Sequence, residues 1–72
     1  MLKVGNCLLS DLLQERSISQ TELAIRLNIT KQQINAYINN RNIMSFQTAL
    51  NVANVLNCEL TDLYEIVKVD EE

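Results

Sequence analysis

An all-α domain of five short helices is the fold this sequence predicts, and three observations carry the prediction. Residues 20–39, QTELAIRLNITKQQINAYIN, contain an apolar set (Leu23, Ala24, Leu27, Ile29, Ile34 and Tyr37) that one straight helix cannot gather on a single face. Broken at Asn28, the same set becomes two short helices packed against each other. Each of the two has its own start signal, Ser19 with Glu22 and Thr30 with Gln33. Finally, 72 residues with 47% hydrophobic content and no proline suit one helical domain, large enough to bury roughly 60% of its unfolded surface.

The first helix is expected over about residues 6–16, with Leu8, Leu9, Leu12 and Leu13 at helical spacing. The second covers residues 20–27 and opens on an S-x-x-E capping box. The third covers residues 31–39 and opens on T-x-x-Q. In both, a cap hydroxyl accepts an otherwise orphaned N–H while the side chain three residues on reaches back. Ala24 is small and sits where the two crossing helices come closest. The fourth helix starts after Ser45, with Phe46, Ala49, Leu50, Ala53 and Leu56 along one face, and Phe46 and Tyr37 read as core. The fifth starts after Thr61, where Asp62 complements the positive end of the helix dipole. From Ile66 the tail IVKVDEE suits either a continued helix or a short strand. The chain therefore divides into a domain over residues 1–66 and an acidic tail over residues 67–72.

Two capped helices joined by a three-residue turn make a helix-turn-helix, whose second helix is the kind of element that enters a DNA major groove. The residues that spell it resemble the Cro/Xre-type helix-turn-helix repressors of phages and bacteria. The shared pattern is Gln20, Leu23 and Ala24, Asn28 in the place of a turn glycine, then Ile29, Thr30, Ile34 and Tyr37. It continues through Ser45-Phe46-x-x-Ala49-Leu50 and Val55-Leu56-Asn57-Cys58-x-Leu60-x-Asp62-Leu63, so the resemblance spans about residues 8–66. It implies a five-helix lambda-repressor-like domain that reads DNA with its third helix.

The sequence departs from that family in two ways. Glycine commonly ends the family's second, third and fourth helices; here Asn28, Asn40 and Asn57 stand there, and the only glycine is Gly5. Asparagine is the non-glycine residue that best tolerates the left-handed backbone such ends require. Family members also often pair an arginine of the first helix with a glutamate late in the third. Leu13 and Ile38 occupy those positions, so both partners have changed together and no charge is stranded; such a replacement is often neutral or stabilising. A phosphate-reaching arginine is lost with it.

Composition argues against catalysis. There is no histidine, the cysteines Cys7 and Cys58 stand far apart without a C-x-x-C, and one glycine cannot build a phosphate-cradling loop. The acids Asp11, Glu15, Glu22, Glu59, Asp62 and Glu65 read as solvated helix faces. No enzyme activity, cofactor or metal is expected, and both cysteines read as buried small hydrophobes. No apolar run approaches a membrane span and no secretory signal is visible, so a cytoplasmic location without membrane contact is expected.

Charge is the main objection to DNA as a partner, since the net charge is −3. Its distribution answers part of the objection. Residues 20–48 hold Arg26, Lys31 and Arg41 against Glu22 alone, a balance of +2, whereas residues 59–72 hold six acids against Lys68, a balance of −5. Base-reading candidates are Lys31, Gln32, Gln33 and Asn35, because lysine can donate to guanine while glutamine and asparagine can bond adenine in pairs. Ala36 sits where a longer reader is common in the family. Phosphate candidates are Gln20, Thr30, Asn39 and Arg41, assisted by the N–H groups opening the second helix. A merely solvated polar face would show the same residue types.

Three cations make a thin phosphate footprint, so a homodimer on a double-stranded operator is expected, with strong salt sensitivity. Val52 and Val55, lying off the fourth helix's core stripe, and Ile66, Val67 and Val69 are the candidate dimer surface. The expected function is a small, sequence-specific transcriptional repressor of phage or prophage type. The alternative is a protein-binding helix-turn-helix module whose acidic surface meets a second regulatory protein or the transcription machinery.

Overall fold

Three hydroxyls open the three middle helices of the computed structural model, which describes residues 1–70. Ser19 Oγ accepts the N–H of Glu22 at 3.0 Å ahead of α2 (Gln20–Leu27). Thr30 Oγ1 accepts that of Gln33 at 3.1 Å ahead of α3 (Lys31–Ile38). Ser45 Oγ accepts that of Thr48 at 3.1 Å ahead of α4 (Phe46–Leu56). Only the Thr30 cap is reciprocal, with Gln33 Oε1 accepting the Thr30 N–H at 3.0 Å. The expected box at Ser19 is half made, because the Glu22 carboxylate turns instead to Arg26 at 2.8 Å, one turn along the same helix.

The helices also stop by one device. α1 (Leu9–Glu15) and its three successors are each followed by a residue with φ near +55° to +60°: Ser17 (54°), Asn28 (56°), Asn40 (61°) and Asn57 (54°). The next N–H then reaches back five residues in every case: Ile18 to Leu13 at 3.0 Å, Ile29 to Ala24 at 3.0 Å, Arg41 to Ala36 at 2.9 Å and Cys58 to Ala53 at 3.0 Å. This is the Schellman closure, which satisfies carbonyls that the helix end would otherwise orphan. The asparagine turns are therefore where the sequence placed them, and Ser17 is a fourth that nothing in its residue type announced.

A test follows from the sign of φ. At Asn28 and Asn57, Asn→Gly should be tolerated, whereas Asn→Val should destabilise by roughly 1 kcal/mol or more, because a β-branched side chain clashes in the left-handed region. Thermal melts of the two pairs decide it, and valine variants that melt with the glycine ones would remove the turn assignment.

The fifth helix does not form, so the fold is mostly helical but not all-α. After α4 the chain makes one 3₁₀ turn over Leu60–Asp62, closed by the Glu59 N–H on Asp62 Oδ2 at 3.0 Å, and then extends as a strand over Tyr64–Lys68. A second strand occupies Leu2–Cys7, which also delays α1 to Leu9 where residue 6 was expected to begin it. With β1 (Leu2–Cys7) and β2 (Tyr64–Lys68) so numbered, the two pair antiparallel, Leu2 opposite Lys68, Lys3 opposite Val67, Val4 opposite Ile66 and Cys7 opposite Tyr64, with a bulge between Val4 and Cys7. The physical reason is composition: three of the five residues of β2, Tyr64, Ile66 and Val67, are aromatic or β-branched, which favours a pleated strand once a partner exists. The partner comes from the opposite end of the sequence. β2 runs across residue 66 into the start of the expected tail, of which Glu71 and Glu72 lie outside the described residues.

The core is Leu9, Leu12 and Leu13 of α1, Leu23 and Ala24 of α2, Ile34 of α3, Val52, Ala53 and Leu56 of α4, and Met44 and Leu63 from the connections. Tyr37 packs half-buried against it, as expected, and Leu13 and Ile38 both meet it where the family's ion pair would stand. Phe46 does not join, being 71% exposed. At about 100° per residue the buried stripe of α4 is Ala49, Val52, Ala53 and Leu56, which leaves Phe46 and Leu50 on its flank. Val52, expected at a dimer surface, is consequently fully buried. Cys7 and Cys58 are half-buried at the core margin. No helix among the described residues is long and apolar enough to cross a membrane.

Candidate nucleic-acid interface

The Thr30 cap fixes where α3 begins, and helical spacing then decides which side chains share a face. Ile34 is buried against the core, while Lys31 and Gln32 in the first turn are exposed and Asn35 is half-exposed. Together with Arg41 from the following turn they line one shallow hollow of about 260 Å³. Four of the eight expected DNA-contacting residues thus meet at one place. Lys31, Gln32 and Arg41 are exposed, and no hydrogen bond or ion pair within the described residues engages their side chains.

The remaining candidates are placed differently. Gln33 points its Oε1 at the Thr30 N–H, so its acceptor serves the cap and only its NH₂ is free to reach outward. Asn39 Nδ2 donates to Asn35, with the backbone carbonyl and Oδ1 each at 2.9 Å. That arrangement turns the Asn39 amide toward the end of α3. Asn35 keeps a free NH₂ beside the hollow. Thr30 Oγ1 accepts from the Gln33 N–H and donates its own proton over a long 3.5 Å contact to Gln33 Oε1, so it too serves the cap. Gln20 lies at the first position of α2, where unpaired N–H groups face outward.

Electrostatically the face is thinner than composition suggests. Arg26 is taken up by Glu22, in an exposed pair that solvent screens and a phosphate could compete for. Lys31 and Arg41 remain as the cations without an ion pair among the described residues of this face. Asp11, Glu15 and Asp62 line a separate hollow between α1 and the 3₁₀ turn, together with Arg16. These acids do not share the hollow that Lys31 and Arg41 line.

Neither cysteine adds chemistry. Burial pushes both thiols above their usual range, at Cys7 against hydrogen bonds from the Leu9 backbone and the Tyr64 hydroxyl, and at Cys58 against the charge of Arg16. Both stay protonated near neutral pH, which is the unreactive form. Burial likewise raises Tyr64, against the opposing hydrogen bond from Met44, so its hydroxyl is intact at neutral pH.

One feature beside the site escaped the sequence reading. Ile43 in the α3–α4 connection is 71% exposed, and with Phe46, Ala49, Val4, Tyr64 and Ile66 it lines an apolar groove of about 370 Å³ between α4 and the ribbon. No local signal marks it, because its walls come from both ends of the chain and the middle.

Two capped helices crossing at Ala24, with a polar outward face on the second and free cations beside it, define a helix-turn-helix DNA-binding domain. Residues 8–68 match the Cro/C1-type helix-turn-helix DNA-binding domain, and the chain belongs to that family. It is 37% identical over 67 residues to the SPbeta prophage-derived HTH-type transcriptional regulator YopS of Bacillus subtilis (strain 168), covering 89% of this chain and 88% of YopS. The crystal structure of the transcriptional regulator VanUg shares the fold, with a TM-score of 0.71 over 92% of this chain and 87% of that one at 23% identity.

Proposed function

We propose that this helix-turn-helix transcriptional regulator is a sequence-specific repressor that binds a double-stranded operator as a homodimer, with α3 in the major groove. The observation that supports the reading is the convergence of Lys31, Gln32, Asn35 and Arg41 around one hollow on the exposed face of α3. Gln32 keeps both ends of its amide for a paired contact to adenine, and Lys31 can donate to guanine. Arg41, from the turn beside them, suits a backbone phosphate. Occupying the operator excludes polymerase, and no catalytic step or cofactor is needed. A cytoplasmic location follows from the partner.

Dimerisation is proposed from the same arithmetic. Two free cations on the α3 face bind few phosphates, and each phosphate contributes a slope of about −0.9 to the salt dependence. A two-fold pair doubles the footprint and reads half-sites about one helical turn apart. Of the expected surface residues, Ile66, Val67 and Val69 are exposed and Val55 is half-buried. The apolar groove adds Phe46, Ile43 and Val4, and makes the α4–ribbon face the better candidate.

Selection of bound sites from random DNA, followed by three variants, tests the function. Gln32→Ala should cost roughly 1–3 kcal/mol on the selected site and relax preference at one base position. Lys31→Ala should do likewise if it meets guanine, or weaken all sequences alike if it meets phosphate. Arg41→Ala should lower affinity across sequences and flatten the salt slope by about one contact. All three should melt as wild type does, since these side chains are exposed. If Gln32→Ala and Lys31→Ala both bind as wild type, α3 is not the reader. The acidic hollow at Asp11, Glu15 and Asp62 then favours the second reading, a module that binds a regulatory protein.

A further inference from the structure

We infer that the Cys7–Tyr64 pair of the terminal ribbon is a positioning clamp for the Arg41 turn, so that the pairing of the two chain ends sets how well the protein grips DNA phosphates. The inference rests on the DNA-binding reading of α3 and the turn after it.

Between α3 and α4 the chain runs through residues 39–45 without regular structure. The closure of α3 holds the start of that segment, with the N–H groups of Arg41 and Asn42 both directed at the Ala36 carbonyl, at 2.9 and 3.4 Å. Two further bonds hold it from outside. Leu8 N–H crosses to the Leu63 carbonyl at 2.8 Å, so the alternation of the strand turns the Cys7 N–H away from β2. Asn40 Oδ1 accepts it at 2.8 Å. On the other strand the Tyr64 hydroxyl accepts the Met44 N–H at 3.0 Å. Cys7 and Tyr64 face each other across the ribbon. One cross-strand pair therefore grips the segment just before and just after Arg41, Asn42 and Ile43, and neither bond is made to Arg41 itself.

A long, exposed arginine loses affinity when its backbone anchor wanders, because the ordering cost then falls on the binding step. Asn40 and Tyr64 act here through Arg41 and are positioning residues. Each can be cut by a few atoms: Asn40→Gly keeps the left-handed backbone and removes Oδ1, and Tyr64→Phe removes only the hydroxyl.

The test measures backbone amide order parameters of residues 41–43 in the free protein, and operator affinity at several salt concentrations, for wild type, N40G, Y64F, R41A and R41A/Y64F. Order should fall in N40G and Y64F. Their operator affinity should drop about threefold to tenfold, the scale of one hydrogen bond's worth of positioning. The salt slope should flatten by up to about one contact while the preferred bases stay the same. In the R41A background, Y64F should cost no further affinity, because the group it positions is already gone. Equal losses with and without Arg41 overturn the inference, since a general loss of stability would behave that way. Unchanged order at residues 41–43 also overturns it. Lowered order with unchanged affinity and slope keeps the clamp as a structural tie but removes its role in binding. R41A binding as wild type does would instead fail the phosphate reading of Arg41 itself, and the order parameters separate those two failures.

Discussion

Leu63→Ala should destabilise the domain by about 2–5 kcal/mol, the cost of removing a fully buried leucine from a core that cannot collapse around the gap. Leu63 is 0% exposed, and its carbonyl accepts the Leu8 N–H, so this residue ties the start of α1 to the approach of β2. A chain of 72 residues has only roughly 4–11 kcal/mol of stability at about 0.05–0.15 kcal/mol per residue. The variant should therefore be marginally stable or unfolded. Phe46→Ala should by contrast change the unfolding free energy by less than about 0.5 kcal/mol at protein concentrations where subunits are separate, as for other exposed sites. Urea melts of both variants make the comparison. Should Phe46→Ala cost as much as Leu63→Ala, Phe46 belongs to the core after all and the placement of α4 is wrong.

Phe46→Glu should convert the proposed dimer to monomer and lower operator affinity by roughly 10²-fold or more, because the second half-site then no longer binds at high effective concentration. A charge at the centre of an apolar contact between copies is left without a partner and must be desolvated. Adjacent residues of a strand point to opposite faces, so Ile66 shares the groove with Phe46 while Val67 faces away from it. Val67→Glu should accordingly weaken association less than Phe46→Glu if the groove is the interface, and more if the outer ribbon face is. Equilibrium sedimentation of wild type and both variants orders them. Wild type that stays monomeric both free and on DNA would reject the dimer.

The site was legible to the extent that its signals are local. Lys31, Gln32 and Asn35 could be read as partners on one helix because a cap at Thr30 and a period of about 3.6 residues fix their directions, whereas Arg41 follows α3 and was placed beside them by the turn. Gln33 and Asn39 looked equivalent to them by residue type. What separates these two is a choice among hydrogen-bond partners, and the helix ends claimed both amides first. Glu22 shows the same competition, with Arg26 winning over the cap. On α4 several apolar stripes overlap, and residue type alone picked the one through Phe46 rather than the one through Val52. The two differ by a rotation of the helix that only its neighbours can set.

By itself the sequence determined α2, α3 and α4, their hydroxyl starts, their asparagine stops and the helix-turn-helix that α2 and α3 build, since each of these is decided within about one helical turn of the chain. The tertiary structure alone decided that the two ends pair as strands. Residues 2–7 and 64–68 carry apolar and β-branched side chains that a helix, a tail or a strand can all accommodate, and the ladder exists only once the helices bring the two ends together. That pairing in turn created the apolar groove and the two bonds around Arg41, because both need atoms from segments that no local pattern relates.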